Sequence, residues 1–309
     1  MADTAEAGIF VNSMNIPASA VFTDFMRTFL LLLLTFAGFS LNAQPLSDSV
    51  QVQKASWRTR QIKKRVVWKE THFDNLFGSK QNINLIVVKN RRSTPVISFA
   101  SAGDSLKPTS WFGKKFNATV ALNGTFFDVK NGGSVDLIKV DGHLMDTTRL
   151  SEKGLVEHQQ AAIVIHKNRV QIVYGGNKPG WDRQLPADNV MTTGPLLLKD
   201  GQPHPLQKNA FNDNRHPRTC LCLGPRKQLI MATVDGRNAN AQGMNLHELT
   251  SLMRWLGCRD AINLDGGGST TLWISSVGEG SNGVVNYPSD SKQWIHTGER
   301  PVSNVMIIR

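Results

Sequence analysis

Residues 262–270 read Ile-Asn-Leu-Asp-Gly-Gly-Gly-Ser-Thr, joining one carboxylate to three consecutive glycines and two hydroxyls. Glycine lets a backbone approach a ligand closely and present its N–H groups to it. An aspartate at the mouth of such a turn can serve as base, nucleophile or charge stabiliser. The turn lacks the Gly-Lys-Ser/Thr ending of a nucleotide phosphate loop, so ATP chemistry is not expected of it. Taken alone it also reads as a flexible loop.

The elements around this turn give it company. Residues 219–223 read as a strand, 224–227 (Gly-Pro-Arg-Lys) as a turn and 229–234 as the returning strand, which closes at Asp235-Gly236-Arg237. Leu246, Leu249, Leu252, Met253 and Leu256 then recur at helical spacing. Asn245 is a candidate N-cap, Glu248 completes a capping box, and Gly257 is a candidate C-cap. Residues 261–264 form a short apolar strand that ends at Asp265.

A strand–helix–strand unit implies parallel strands in one sheet, whose carboxyl ends share the edge where ligands bind. Asp235 and Asp265 are therefore expected close together, and the hairpin brings Arg218 and Thr219 to the same edge. That edge gathers carboxylates (Asp235, Asp265), cations (Arg218, Arg237, His216) and hydroxyls (Thr219, Ser269, Thr270), with Gly266, Gly267 and Gly268 supplying backbone. Guanidinium forks suit phosphate oxygens. The mixture suits a substrate with a phosphate beside a reacting carbon. Each residue also has an ordinary reading: Asp235 as a turn residue, Glu248 as a helix cap only, Arg218 as half of a surface ion pair.

Bulk properties agree with a folded, exported protein. The 309 residues are 40% hydrophobic and 19% charged, which excludes a disordered chain. The net charge of +11 suits anionic partners. The lysines and arginines are scattered and carry no nucleic-acid motif, so nucleic acid is not an expected partner. Met26-Arg27, an apolar run at 29–41 and Ala43 read as a secretory signal peptide. The run falls short of the ~20 residues that span a bilayer. We accordingly read 1–25 as an upstream extension, 26–43 as the signal, 44–81 as an N-terminal tail and first strand region, and 82–309 as the functional domain. The expected location is periplasmic or secreted, with no membrane span after cleavage. Three cysteines, Cys220, Cys222 and Cys258, give no disulfide framework and read as core residues, the first two on one strand face. Hairpins are expected at Asp141-Gly142 and Lys167-Asn168, and a short helix near 111–116.

Six segments in order resemble the phosphodiester glycosidase family: NGTFFD at 123–128, TGPLLLKDG at 193–201, RHPRT at 215–219, VDGR at 234–237, GMNLHELTSLMRWLGCRDAINLDGGGSTTLW at 243–273, and ERPVSNVMII at 299–308. The resemblance covers residues 82–309. It implies an α+β single domain with a twisted mixed β-sheet flanked by helices. It also implies hydrolysis of a sugar 1-phosphodiester in a glycan or cell-envelope polymer. By these motifs Arg218 and Arg237 bind phosphate, Asp265 is the leading carboxylate and Asp235 the second. Asn123, Thr219, Asn263, Ser269 and Asn304 line the sugar side or orient the carboxylates. Thr125 departs from the pattern, which often has glycine there, and is expected to narrow the pocket.

The competing reading is a non-catalytic carbohydrate- or phosphate-binding domain using the same pocket. No cofactor is required by the sequence. An Asp-rich edge leaves a divalent cation, Mg²⁺ or Ca²⁺, open.

Overall fold

The computed structural model describes residues 46–89, 95–225, 228–277 and 282–309. The upstream extension and signal peptide lie outside the described residues. After helix α1 (Asp48–Gln53) come β1 (Arg58–Lys63), β2 (Val66–Leu76), β3 (Ser79–Lys89), β4 (Ile97–Ser101), α2 (Thr109–Lys115) and β5 (Val120–Asn123). The middle of the chain holds β6 (Ile138–Val140), β7 (His143–Asp146), β8 (Ala161–His166), β9 (Arg169–Tyr174), β10 (Asn189–Thr193), β11 (Leu196–Lys199) and β12 (Gln202–Pro203). The last third holds α3 (Ala210–Asp213), β13 (Arg218–Gly224), β14 (Gln228–Val234), α4 (Leu246–Trp255), β15 (Asp260–Asn263), β16 (Leu272–Ile274) and β17 (Asn304–Ile308).

These form sheets in the orders β1-β2-β3-β14-β13-β15-β11-β12, β7-β6-β10-β8-β9 and β16-β5-β17-β4. The result is an α+β domain weighted towards β. The large sheet is antiparallel at its pairings rather than mixed. The cause is local. The β13–β14 hairpin leaves the second edge of β13 open, and the chain returning from α4 pairs there as β15. β14 and β15 run parallel, as the strand–helix–strand pattern requires, but with β13 between them. The edge argument survives, because β13 begins where both of the others end.

Alternation along β13 shows how the sheet is covered. Leu221 faces a core shared with Ile86, Ile163 and Met306, while Cys220 and Cys222 face Leu249, Leu252 and Met253 of α4. Leu246, Leu249, Leu252 and Met253 are fully buried, each contributing roughly 1.5–3 kcal/mol. The capping box forms as the sequence predicts: Glu248 N–H donates to Asn245 Oδ1 at 2.8 Å, and Asn245 N–H to Glu248 Oε2 at 3.1 Å. Gly257, at φ +85°, turns the chain out of the helix.

That turn corrects the cysteine reading. Cys258 is returned beside β13, where Arg259 N–H bonds Leu223 O at 2.9 Å. Cys222 and Cys258 form a disulfide with their Cα atoms 5.8 Å apart. Cys220 remains a buried thiol, its pKa pushed up by burial. Within 44–81, expected as an N-terminal tail and first strand region, α1 and β1 precede β2, and Val52 of α1 packs into the core beneath α4. Hairpins form at both expected turns. Among the described residues no helix is long and apolar enough to cross a membrane.

Candidate active site

The chain leaves β15 and reaches Asp265 already fixed from two sheets. Leu264 N–H bonds Thr219 O at 2.9 Å and Asp265 N–H bonds Gly124 O at 3.1 Å. Asn123 Nδ2 donates to Asp265 O at 2.7 Å, and Asn123 Oδ1 accepts from Thr219 Oγ1 at 2.8 Å and Thr271 N–H at 3.1 Å. Asn263 Nδ2 donates to Gly194 O at 2.9 Å and Leu264 O at 2.7 Å. Asn304 Oδ1 accepts from Thr125 N–H at 2.8 Å. Thr270 O accepts from Asn286 Nδ2 at 3.0 Å. Asn123, Thr219, Asn263 and Asn304 are wholly buried, so the structure uses them to hold the turn in place.

The Asp265 side chain is half-buried at the end of this frame. Desolvation raises its pKa from 3.8 to about 6, opposed by the Ser269 hydroxyl, the Gly266 N–H, and the charges of Arg300 and His158. The Gly266 N–H donates to Asp265 Oδ1 at 2.9 Å, and the Gly267 N–H to Pro217 O at 2.9 Å. Two of the three glycine N–H groups expected to face a ligand are thus committed within the protein. The glycines answer a different need. Gly267 sits at φ +59° with the Arg237 guanidinium against it: an added Cβ would lie 3.0 Å from Nη2. A Cβ on Gly268 would overlap Asp290 and Arg300, which form a bidentate pair at 2.7 and 2.9 Å.

A group of cations stands beside the turn. Arg218 is 1% exposed. Its Nε donates to Met244 O at 2.8 Å, and its Nη2 to Phe211 O and Asn214 O at 2.6 and 2.9 Å. Nη1 is buried and has no partner among the described residues. The guanidinium carbon lies 4.9 Å from the centroid of the Phe211 ring. Burial lowers the Arg218 pKa to about 10, helped by Arg237 and resisted by Glu248. Glu248 is already in a salt bridge with Arg215. Arg237, exposed at φ +59°, reaches His216 Nδ1 at 3.4 Å. Desolvation and these two arginines lower the His216 pKa. Among the described residues neither Arg218 nor Arg237 has a salt-bridge partner.

Asp235 reaches the same sheet end but is turned elsewhere. It accepts from Asn82 Nδ2 at 2.8 Å, and from Asn286 Nδ2 and Tyr287 N–H at 3.0 Å each. Fully buried, it has a pKa raised to about 6, desolvation outweighing those donors. Its oxygens tie the end of β14 to β3 and to residues 286–287.

Sequence reasoning missed His158, Asp136 and Phe211, and took Phe126 and Arg300 only as parts of motifs. The Phe126 ring lies 4.2 Å from His158 and 5.9 Å from Phe211. His158 lies in a polar run, Val156–Gln160, with no pattern that flags it. Thr125, expected to narrow the pocket, is 1% exposed and donates its hydroxyl to Asp136 Oδ2 at 2.8 Å. Among the described residues no three His, Cys, Asp or Glu side chains gather as a metal-ligand set.

The family described as phosphodiester glycosidase matches residues 116–309. The SPbeta prophage-derived uncharacterized protein YomE of Bacillus subtilis (strain 168) is 29% identical over 144 residues, covering 42% of this chain and 22% of that protein. N-acetylglucosamine-1-phosphodiester alpha-N-acetylglucosaminidase of Mus musculus is 25% identical over 194 residues, covering 56% of this chain and 34% of that enzyme. The chain thus spans about a third or less of the length of these relatives. Among solved structures, a hypothetical protein from Synechocystis superposes with a TM-score of 0.63 at 14% identity, over 82% of this chain and 64% of that one. The zebrafish N-acetylglucosamine-1-phosphodiester alpha-N-acetylglucosaminidase catalytic domain, auto-inhibited by its pro-peptide, gives 0.61 at 22% identity, over 82% and 87%. These two likenesses concern the fold. By the match across 116–309, this chain belongs to the phosphodiester glycosidase family.

Proposed function

We propose that this protein hydrolyses a sugar 1-phosphodiester, breaking the bond between the anomeric carbon and a phosphate oxygen. One observation carries the reading. Among the described residues the buried Arg218 guanidinium has no carboxylate partner, and its Nη1 is unpaired, beside Arg237 and His216. A buried unpaired charge is costly unless a ligand completes it. A phosphodiester monoanion would supply that partner by accepting from Nη1, with Arg237 and His216 beside it.

The remaining groups take consistent parts. Asp265, ionised above a pKa of about 6, faces the positive charge that develops at the anomeric carbon. The phosphate leaves as a stable anion and needs little protonation. Phe126 and Phe211 offer partly exposed rings for the apolar face of a sugar. Arginine does the charge neutralisation in this reading, so chelation of Mg²⁺ or Ca²⁺ leaves turnover unchanged. The Cys222–Cys258 disulfide favours an exported location, periplasmic or secreted, and glycans or cell-envelope polymers as substrates.

The test is a panel of glycosyl 1-phosphodiesters, assayed for release of reducing sugar and phosphate monoester, with wild type and Arg218→Gln. Wild-type turnover with a raised KM in the variant is expected. Tight binding without turnover across the panel would instead identify a carbohydrate- or phosphate-binding module.

A further inference from the structure

We infer that His158, held by Asp136, is a catalytic residue: it takes the proton from the water that replaces the phosphate on the anomeric carbon. The inference rests on the hydrolytic reading above and adds the group that activates water.

The two side chains are placed for it from separate parts of the fold. Asp136 is wholly buried. It accepts from Thr125 Oγ1 at 2.8 Å and Gln159 Nε2 at 3.1 Å. His158 Nε2 stands 3.3 Å from Asp136 Oδ1. A carboxylate this deep requires hydrogen-bond donors; Thr125 and Gln159 supply two, and the His158 ring stands beside Oδ1 as the third group on it. The Nε2 contact is not aligned as a hydrogen bond, and such pairs commonly tighten only with substrate bound. With Nε2 facing Asp136, Nδ1 takes the water's proton.

Three further observations aim His158 at the reaction. It is among the groups that act electrostatically on Asp265. Its ring lies tilted against Phe126, which touches Phe211, which lies against Arg218, so one wall runs from the histidine to the proposed phosphate cation. The backbone of His158 is pressed by Gly194, where an added Cβ would lie 3.1 Å from the His158 Cα. In the step itself, water oxygen bonds to the anomeric carbon while His158 takes one water proton. The bond from that carbon to the phosphate oxygen breaks, its electron pair leaving with the phosphate monoester. The proton then passes to solvent.

The experiment uses the full chain and a glycosyl 1-phosphodiester that wild type hydrolyses. His158→Ala is expected to lose about 10²–10³-fold in kcat with KM within about twofold. Added imidazole should restore kcat saturably, since the vacated space lies against Phe126. His158→Gln, with a melting temperature like wild type, should show the same loss without rescue. If His158→Ala keeps its kcat within about threefold, or loses activity that imidazole does not restore, the inference falls while the hydrolytic reading stands. If wild type turns over no member of the panel, that reading fails first and the inference with it.

Discussion

Replacing Asp265 by asparagine should abolish turnover and stabilise the protein. The carboxyl is raised from 3.8 to about 6 chiefly by desolvation. A group whose folded pKa exceeds its unfolded value holds its proton more tightly in the native state. Its favourable contribution is therefore complete below pH 3.8 and is lost as pH rises through about 6. At about 1.4 kcal/mol per unit, ionising Asp265 costs the fold up to about 3 kcal/mol at neutral pH. Because Asp265 is only half-buried, this is an upper bound. Asparagine carries no charge, accepts the same Gly266 N–H, and escapes the cost.

The assay is thermal unfolding of wild type and Asp265→Asn between pH 3.5 and 8. At roughly 2–4 °C per kcal/mol for a domain this size, the variant should melt roughly 5–10 °C higher at pH 7.5 and level with wild type at pH 3.5. Its kcat should fall at least ~10²-fold. Wild-type kcat/KM should decline as pH drops below about 6, where the carboxylate takes its proton. A variant that melts at or below wild type at neutral pH, or by an offset that pH does not change, refutes the desolvation argument. A fully active variant removes Asp265 from the mechanism.

Arg218→Lys keeps the charge but loses the fork, leaving carbonyls of Met244, Phe211 and Asn214 unserved. Steady-state kinetics should show kcat/KM reduced about 10-fold or more, and melting should show a loss of about 1–3 kcal/mol. Gly268→Ala drives a methyl into the Asp290–Arg300 pair; activity should fall with a smaller change in stability, and an unaltered kcat/KM would show that Arg300 does not matter to Asp265. Cys258→Ser opens a disulfide with a sequence separation of 36 and should cost about 2–4 kcal/mol in denaturant unfolding.

The last hundred residues were readable because each element there is signalled by its own sequence. The α4 stripe, the Asn245–Glu248 box and Gly257 fix a helix. The flanking apolar runs fix strands, and strand direction alone places Arg218 and Asp265 at one sheet end. What could not be read depends on contacts between distant segments. The insertion of β13 between β14 and β15 leaves no local trace, because a parallel pair one strand apart has the same sequence pattern as neighbours. Residues 44–60 look like a tail because β1 is an edge strand with mostly exposed side chains. The Cys222–Cys258 bridge follows from a helix exit that returns beside a strand, which an odd cysteine count does not disclose.

The side-chain roles diverge from the sequence reading for a related reason. Sequence places both aspartates at one edge, with Asp265 leading and Asp235 second. Their surroundings separate them. Asp235 receives three protein donors and no visible ligand-facing neighbour among those contacts, which is how a carboxylate is used to join β14 to residues 286–287. Asp265 receives one backbone donor and stands among Arg300, His158 and Ser269. The glycines follow the same logic: Gly267 and Gly268 exist so that Arg237 and Arg300 can pack against the turn. The backbone of the turn holds Asp265 still, and of the two cations against it Arg300 is paired with Asp290, which leaves Arg237 to meet the phosphate of the proposed reaction.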